Sequence, residues 1–411
     1  MTTYKELNSC LACESKALHT YLNLGDQPLA NSYHKPDEPL EKYPLKLNVC
    51  ERCFHSQLSV AVNPDLLFKH YLYVSGTSKT LTQYFSWFAK QAIDRQLCTQ
   101  DSTSDISVLD IASNDGSLLQ AFRAMGVNNV LGVDPALNLT KLAWQKKIPT
   151  LPSYWNETTA NAYADCFDII TAQNVVAHVS DPAPFLTNIS KALRENGTAY
   201  VQTSQSEMIP RGEFDTAYHE HHSFFTINSM NQLAQRSNLH LNDVFKTEIH
   251  GSSYVFVLKK SRGNSQTILP LIDQERAEGR YSIETYNHFA KQAHDKAEAI
   301  RQKIQAYREK GFRIAGYGAA AKGNTFLNFS NLSLDFIIDD NPLKHGLLTP
   351  GSDSPIVDMS HLSNDPSPIF ILVLAWNFFN EIKSNLTSFK NTFKTDMVIA
   401  RYYPEYEEVT I

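Results

Sequence analysis

Short apolar runs alternate with segments long enough to form helices, and this alternation occurs twice along the chain. The runs are 107–111, 130–133, 167–170 and 198–201 in the middle of the chain, then 313–315, 336–338, 369–374 and 397–400 near its end. Strand–helix alternation favours a parallel sheet with helices on its two faces. The sequence therefore predicts an α/β protein with two nucleotide-binding-type sheets, of which the second is smaller.

A chain of 411 residues is long enough for two or three domains. We divide it into a loop-rich N-terminal module at 1–75, a central sheet domain at 76–262 and a C-terminal Rossmann-like α/β domain at 263–411. Apolar residues recur at three- and four-residue steps from Tyr286 to Tyr307. This pattern predicts a long amphipathic helix that Gly311 ends as a left-handed cap.

The composition excludes several classes of protein. A net charge of −6 argues against a nucleic-acid partner, because such proteins usually carry a basic surface. The sequence has no apolar run of the length that a membrane span needs, and its first residues lack the apolar stretch of a signal peptide. We expect a cytoplasmic monomer without a membrane or nucleic-acid partner.

The N-terminal module carries two identical cysteine pairs, Cys10-x-x-Cys13 and Cys50-x-x-Cys53. Four thiolates are the ligand set of a tetrahedral structural zinc ion, which leaves no open position for a substrate. Two alternatives are four unrelated reduced cysteines and a redox-active pair, although neither pair opens a clear βαβ unit. We predict structural zinc.

A turn of small residues follows the strand at 107–111 and precedes an apolar helix at Leu118–Met125. A carboxylate about twenty residues further on, at the end of the next strand, commonly accepts ribose hydroxyls. The turn has one glycine, which suits a ligand with ribose but without phosphate, such as S-adenosylmethionine. The alternative is an ordinary strand–turn–helix. The predicted cofactor-binding residues are Asp110, Ala112, Ser113, Asn114, Asp115, Gly116, Asp134, Pro135, Gln173 and Asn174.

A second turn, Gly316-Tyr317-Gly318-Ala319-Ala320-Ala321, has the G-x-G-x-x-A pattern of a dinucleotide site, with Asp339-Asp340 about twenty residues later. It favours a rival hypothesis, an NAD-dependent oxidoreductase. Lys322, which follows the turn, could instead hold the phosphates of a nucleotide-sugar diphosphate. A third interpretation is a turn that only needs close packing.

The run Tyr218-His219-Glu220-His221-His222 is dense in groups that titrate near neutral pH. General-base chemistry is our preferred interpretation over a solvated loop or a metal site, since the crowding fits no known zinc spacing. In an extended segment, His219 and His221 would face away from the other three side chains. Which histidine acts stays open on these grounds.

Ordered motifs along essentially the whole chain resemble those of S-adenosylmethionine-dependent sugar C-methyltransferases, three-domain enzymes that act on nucleotide-linked deoxy-ketosugars. One departure is Ala112, where a glycine is expected. The motifs are Cys10-x-x-Cys13, Leu24–Ser32, Tyr43–Leu45, Cys50-x-x-Cys53, Tyr71–Ser78, Ser113–Ser117, Asn174–His178, Tyr218–His221, Gly316–Asn324 and Ile338–Pro342.

The resemblance implies a central class I methyltransferase sheet that binds S-adenosylmethionine, structural zinc in the N-terminal module, and a substrate between the central and C-terminal domains. The implied substrate is a dTDP- or GDP-linked ketosugar, methylated at C3 beside a 4-keto group. His221 is implied as the general base, which makes the second turn part of the substrate site. The other implied catalytic residues are Glu220, Tyr218, His178 and Tyr73, and the implied substrate-binding residues are Ser75, Tyr317, Gly318, Ala319, Lys322 and Asn324.

Three rivals stay open. An oxidoreductase would bind NAD at the second turn, and a zinc-bearing nucleic-acid methyltransferase would need a basic groove that the net charge of −6 disfavours. A non-catalytic binding protein is the third.

Overall fold

The computed structural model describes residues 3–68, 74–98, 102–204, 207–249, 252–263, 265–390 and 396–411. Within these ranges the protein is α/β, as predicted, and its strands form two large sheets and two small ones. The helices are α1 (Pro64–Phe68), α2 (Lys79–Gln96), α3 (Ser117–Ala124), α4 (Leu137–Gln145), α5 (Glu157–Ala162), α6 (Pro182–Ala192), α7 (Met208–Arg211), α8 (Ile227–Arg236), α9 (Ser265–Ala277), α10 (Ile283–Glu309), α11 (Ala321–Phe329) and α12 (Phe379–Lys390).

The N-terminal module, residues 3–68, is built on a four-stranded antiparallel sheet of order β11-β4-β3-β2. Its edge strand β11 comes from far along the chain, where Ser223 pairs with Gln57 and Phe224 with Ser56. The segment just before β11 is therefore fixed to the module. The strands are β1 (Tyr4–Glu6), β2 (Leu18–Pro28), β3 (Lys42–Cys50), β4 (Ser56–Leu58), β5 (Val60–Val62) and β11 (Ser223–Phe224), with β1 and β5 forming a separate pair.

A seven-stranded sheet of order β12-β13-β10-β9-β6-β7-β8 forms the central part of the described structure. The five strands from β10 to β8 are parallel, as predicted. The antiparallel hairpin β12–β13 at one edge was not predicted, because β13 is almost wholly buried and lacks an alternating pattern. The strands are β6 (Ser107–Ile111), β7 (Asn129–Val133), β8 (Thr150–Leu151), β9 (Phe167–Gln173), β10 (Leu193–Thr203), β12 (His240–Thr247) and β13 (Ser253–Lys259).

A six-stranded sheet of order β16-β15-β14-β17-β18-β19 forms the C-terminal part. It is parallel except for β19. The long helix α10 ends before Gly311, whose φ of +81° confirms the predicted left-handed cap. The strands are β14 (Arg313–Tyr317), β15 (Phe336–Ile338), β16 (Ile356–Val357), β17 (Ile369–Val373), β18 (Met397–Arg401) and β19 (Glu407–Thr410).

The apolar cores cross from one part of the structure to another. One buried cluster joins Leu47 of the N-terminal module to Phe289 of α10 and Tyr402 after β18. A second cluster joins the four cysteines to Leu233 of α8. Because apolar burial stabilises a fold in proportion to the area removed from water, the three parts stabilise one another. The boundaries near residues 75 and 262 stay predictions.

No helix among the described residues combines the length and the apolar character that a membrane span needs.

Gly318, between β14 and α11, combines a φ of +92° with a crowded surrounding: an added β-carbon would lie 2.5 Å from the Ala375 β-carbon. We expect Gly318→Ala to lower the free energy of unfolding by about 2–4 kcal/mol, because it adds backbone strain and overpacking. The matched control is Gly311→Ala, where φ is +81° but no atom lies within 4 Å of the added carbon. It should cost only about 1 kcal/mol. Urea unfolding of the two variants would measure the difference, and equal losses would contradict the crowding argument.

Candidate active site and metal centre

The four cysteine thiols converge on one point in the N-terminal module. Their sulfur atoms lie within 4.8 Å of one another. The Cys10 and Cys53 sulfurs are 3.5 Å apart, and those of Cys13 and Cys50 are 3.6 Å apart. Tetrahedral zinc with Zn–S bonds of about 2.3 Å requires sulfur separations of roughly 3.8 Å. The arrangement fits a closed four-thiolate zinc site.

Each cysteine pair sits on the same kind of tight turn. The Glu14 amide donates to the Cys10 carbonyl and the Phe54 amide to the Cys50 carbonyl, each at 2.9 Å. Glu14 and Phe54, which directly follow the second cysteine of each pair, have φ of +61° and +57°. Two turns of matching geometry thus present two sulfurs each to one ion, which explains the identical spacing in the sequence.

A cavity of about 970 Å³ opens at the carboxyl ends of the strands of the two large sheets. The central sheet contributes the turns after β6, β7 and β9, and the C-terminal part contributes Lys322, Asn341 and Lys344. The N-terminal module adds Asn31 and Tyr33. Ligands of open α/β sheets bind at this edge, so the cavity is the candidate active site.

The wall of the cavity on the central sheet fits the nucleoside of S-adenosylmethionine. The Asp134 carboxylate accepts hydrogen bonds from the Asn114 and Ala136 amides, each at 2.8 Å, and keeps lone pairs for a ribose. Among the described residues, Ser113 Oγ, Gln173 Nε2 and Asn174 Oδ1 are buried without a hydrogen-bond partner. Buried polar groups are rarely left unpaired, so a ligand is expected to satisfy them. Pro135 lies in the same wall.

The backbone of the turn after β6 is left-handed at the position where the sequence resemblance predicts a glycine. Ala112 has a φ of +58° and Asn114 a φ of +52°. A left-handed backbone costs an alanine roughly 1–2 kcal/mol, and the Ala112 amide holds the turn by donating to the Val133 carbonyl at 2.8 Å. Ala112 therefore adopts the conformation of the expected glycine, and the departure does not widen the turn.

Asp110, at the end of β6, also lines the cavity. Burial raises the pKa of its carboxyl to about 7, while the Thr171 hydroxyl donates to it at 2.6 Å.

Asp115 and Gly116 were predicted to bind the cofactor, but they are not among the residues that line the cavity. The Asp115 carboxylate accepts from the Gly76 amide at 3.2 Å and from the Lys146 amine at 2.5 Å. Ser75, predicted on the substrate side, lines the cavity next to the cofactor turn, where its amide donates to Asn114 Oδ1 at 3.0 Å. Asp115 therefore supports the turn from behind.

Several residues that line the cavity on the side of the central sheet were not predicted from the sequence. Leu81 and Phe85 reach the cavity from α2, and the pair Tyr154-Trp155 reaches it from the segment after β8. Strand β8 has only two residues, which is too short to appear as an apolar run. The signal in the sequence that could have identified this part of the wall is the aromatic pair Tyr154-Trp155, one strand beyond Asp134.

The residues Tyr218–His222, here called the histidine turn, do not form the extended segment assumed in the sequence analysis. The His221 amide donates to the Tyr218 carbonyl at 2.8 Å, which closes a turn. The Tyr218 and His221 rings therefore lie on the same side, with centroids 4.1 Å apart. The expectation that they face apart is wrong, because a turn places residues i and i+3 together.

His221 is held in one tautomer. Its Nδ1 donates to the Thr216 carbonyl at 2.7 Å, which leaves the lone pair on Nε2. The His178 ring lies 4.9 Å away. Burial, and then the neighbouring His178, lower the pKa of His221 well below its usual range, and burial lowers the pKa of His178 to about 4. The two rings are therefore neutral at pH 7, and His221 can accept a proton.

The other members of the turn have distinct environments. Glu220 is 5% exposed, and burial raises its pKa to about 7. His222 lines the cavity, whereas His219 does not and instead donates to the Tyr43 carbonyl at 3.2 Å. Of the histidines in the turn, His221 and His222 can thus meet a ligand. Tyr73 lies outside the described residues.

In the second turn, after β14, other groups of the protein form hydrogen bonds with the backbone of Ala319. The Asp339 carboxylate accepts from the Ala319 amide at 2.7 Å and from the Lys344 amine at 3.2 Å. The Tyr33 hydroxyl donates to the Ala319 carbonyl at 2.5 Å. The amide and the carbonyl of Ala319 are thus both paired within the protein. Of the residues predicted here to bind substrate, the cavity wall includes Lys322 and does not include Tyr317, Gly318, Ala319 or Asn324.

Those four residues have structural contacts instead. The Tyr317 hydroxyl donates to the Asp340 carboxylate at 2.9 Å, and Asn324 is fully buried with its Nδ2 donating to the Ala30 carbonyl at 2.8 Å. Gly318 and Ala319 form the turn itself. The turn leads into α11, which carries Lys322. The Lys322 amine lies 4.7 Å from the Trp376 ring centre and 3.9 Å from the Glu213 carboxylate.

Comparison with known proteins gives three family matches in chain order. A zinc binding domain matches residues 10–68, a methyltransferase domain matches 84–244, and a C-methyltransferase C-terminal domain matches 248–399. C-methyltransferase NovU of Streptomyces niveus is 27% identical over 398 residues, which cover 94% of this chain and 93% of NovU. These matches support an S-adenosylmethionine-dependent C-methyltransferase that is similar to NovU along most of its length.

Weaker matches cover only part of this C-methyltransferase. The ubiquinone biosynthesis O-methyltransferase of Rhizobium rhizogenes is 34% identical over 107 residues, or 25% of this chain and 43% of that protein. A crystal structure of magnesium protoporphyrin IX methyltransferase from Synechocystis with bound S-adenosylmethionine covers 47% of this chain and 86% of its own, at 10% identity and a TM-score of 0.34. That similarity is too low to carry an argument.

The predicted enzyme class, S-adenosylmethionine as cofactor and zinc as metal are confirmed. The oxidoreductase hypothesis finds no support in these matches.

Cys50→Ser should abolish zinc binding, because three thiolates and a hydroxyl make a much weaker site than four thiolates. We expect about one zinc ion per chain in the wild type and nearly none in the variant, measured by atomic emission after dialysis against a mild chelator. Cys98→Ser is the control, since Cys98 is exposed and lies outside the cluster. Full zinc in Cys50→Ser would contradict the four-thiolate assignment.

Asp134→Ala should weaken S-adenosylhomocysteine binding by roughly 10- to 100-fold, because the ribose loses a charged acceptor. The matched control is Asp339→Ala, since Asp339 holds the corresponding turn of the other sheet by accepting the Ala319 amide. Isothermal titration calorimetry of both variants with S-adenosylhomocysteine, and of the wild type with NAD, would test the assignment. Weaker binding only in Asp339→Ala, or tight NAD binding, would move the cofactor to the second sheet.

Proposed function

We propose that this C-methyltransferase methylates a nucleotide-diphosphate-linked deoxy-ketosugar at the carbon beside its carbonyl. The observation that carries the proposal is the composition of one cavity. Its wall on the central sheet fits a nucleoside without phosphate, its C-terminal wall carries two lysines, and the histidine turn supplies bases.

The cationic wall suits a diphosphate. Lys322 and Lys344 line the cavity together with the side chains of Asn341 and Asn377. Lysine amines and amide groups are typical donors to phosphate oxygens. Glu213 and Asp339 lie beside the two lysines, at 3.9 and 3.2 Å, and hold them in place before substrate binds.

His221 is the proposed general base. The Thr216 carbonyl keeps the proton on Nδ1, so Nε2 can take a proton from the carbon next to the sugar carbonyl. The electron pair of that C–H bond moves into the enolate, and the proton stays on His221. Glu220, which precedes His221 in the turn and lines the same cavity, is proposed to favour the charged form of His221 when it is ionised.

The enolate needs hydrogen-bond donors where its negative charge develops. Tyr218, whose ring lies 4.1 Å from that of His221, and His178 are the proposed donors. When bound, S-adenosylmethionine would supply an electrophilic methyl group, whose bond to sulfur would break as the bond to the enolate carbon forms, with S-adenosylhomocysteine as the leaving group. The cavity holds the two reactants together and limits the access of water, which supplies much of the rate enhancement.

Finer details rest on the resemblance described above. They are C3 as the methylated carbon beside a 4-ketone, and thymidine or guanosine diphosphate as the carrier. The monomeric state, the cytoplasmic location, the three domain boundaries and a role for Tyr73 also stay predictions.

His221→Ala should lower the turnover of a dTDP-linked 4-ketosugar by roughly 10²–10⁴-fold, because it removes the base. The same variant should lose exchange of the C3 hydrogen with deuterated water, followed by NMR in the presence of S-adenosylhomocysteine. This exchange reports proton removal without methyl transfer.

His219→Gln is the matched control, since it keeps a donor for the Tyr43 carbonyl and lies outside the described cavity wall. It should retain turnover within about threefold. A loss of less than tenfold in a folded His221→Ala variant would remove His221 as the base. Absence of methyl transfer and exchange in the wild type with dTDP- and GDP-linked 4-ketosugars would remove the proposed substrate class.

A further inference from the structure

One of the segments by which the N-terminal module reaches the candidate active site is residues 29–34, which include the cavity-lining Asn31 and Tyr33. This segment packs against the turn after β14 in the C-terminal part. The Asn324 side chain donates to the Ala30 carbonyl at 2.8 Å, and the Tyr33 hydroxyl donates to the Ala319 carbonyl at 2.5 Å. The Lys344 amine lies 5.1 Å from the Tyr33 ring centre. The segment is thus anchored on either side of Asn31.

Asn31 lines the cavity from this segment. Its Nδ2 donates to Glu220 Oε1 at 2.6 Å, a contact between residues 189 positions apart. The Glu220 side chain is buried, and no other side-chain hydrogen bond to it is recorded among the described residues. A single amide donor therefore orients this carboxyl group.

We propose that Asn31 is a positioning residue that aims the Glu220 carboxylate within the cavity and favours its ionised form. The proposal rests on the function proposed above, in which Glu220 supports His221. It makes the N-terminal module a part of the active site as well as a zinc-stabilised structural unit.

The charge balance around Glu220 explains why one amide matters. Burial raises the pKa of Glu220 to about 7, and the Asn31 hydrogen bond opposes that rise. The other titratable residues that line the same cavity are Tyr33, Asp110, Asp134, Tyr154, Glu157, His178, Asp181, Tyr218, His221, His222, Lys322 and Lys344. The three histidines are neutral at pH 7 because burial lowers their pKa values, so they lend the carboxylate little positive charge. The lysines contact other carboxylates, at Glu213 and Asp339.

Removing the amide should make Glu220 harder to ionise. A hydrogen bond to a charged group contributes about 1.5–3 kcal/mol, which corresponds to a rise in the Glu220 pKa of roughly 1 to 2 in Asn31→Ala. The acid limb of the kcat/KM profile, which reflects loss of the ionised carboxylate as the pH falls, should move to higher pH by the same amount.

The direct test is NMR titration of zinc-loaded protein labelled with ¹³C at the glutamate carboxyl carbons. The Glu220 signal is identified by its absence in Glu220→Gln. Its pKa should rise in Asn31→Ala and stay unchanged in Ser32→Ala, the neighbouring control that is not part of the described cavity wall. Asn31→Asp, which is isosteric and places a like charge beside Glu220, should raise the pKa as well and serves if Asn31→Ala does not fold. An unchanged Glu220 pKa in the folded Asn31 variant overturns the proposal.

Kinetics separate positioning from a general structural effect. In the Glu220→Gln background, Asn31→Ala should cause no further loss of turnover, since its target is already gone. Additive losses would overturn the proposal, because they would show that Asn31 acts independently of Glu220. If the wild type methylates no ketosugar, the proposed function fails, whereas the NMR titration still decides the role of Asn31.

Discussion

The histidine turn has no helix or strand to hold its shape, so it depends on hydrogen bonds from the parts of the protein around it. The carbonyl of His222 accepts from the Leu58 amide of the N-terminal module at 3.0 Å, and the His222 amide donates to the Ala177 carbonyl of the central part at 2.7 Å. Just before the turn, the buried Asp215 carboxylate accepts from Trp376 and Tyr402 of the C-terminal part, at 2.8 and 2.9 Å. A reactive loop fixed in this way needs little reorganisation when a ligand arrives.

The strands of the two large sheets could be predicted because buried parallel strands appear as continuous apolar runs. Strands β6 and β17 are examples. The β12–β13 hairpin was missed because β13 is almost wholly buried and lacks the alternating pattern of an antiparallel edge. The cysteine cluster was predicted from spacing alone, because two tight turns with the same local geometry require little information from the rest of the chain.

The cavity wall could be predicted from the sequence where position at a strand end decides, as for Asp134 and Asn174. It could not be predicted where remote segments decide. The Tyr33 hydroxyl donates to the carbonyl of Ala319, 286 positions away in the chain, and no local sequence pattern indicates this contact. The geometry of the histidine turn likewise depends on Thr216 and its anchoring, so an extended segment was a wrong assumption.

Strand β11 and the segment at 29–34 each contact a part of the protein that lies far from them in the chain. Strand β11 pairs with β4 of the N-terminal module, and the segment at 29–34 contacts the C-terminal part. Recombination among related enzymes is therefore constrained: a chimera joined near residue 75 would pair one parent's β4 with the other parent's β11. It would also set one parent's Asn31 against the other's Glu220. To keep these contacts, the two distant segments of each pair must come from the same parent.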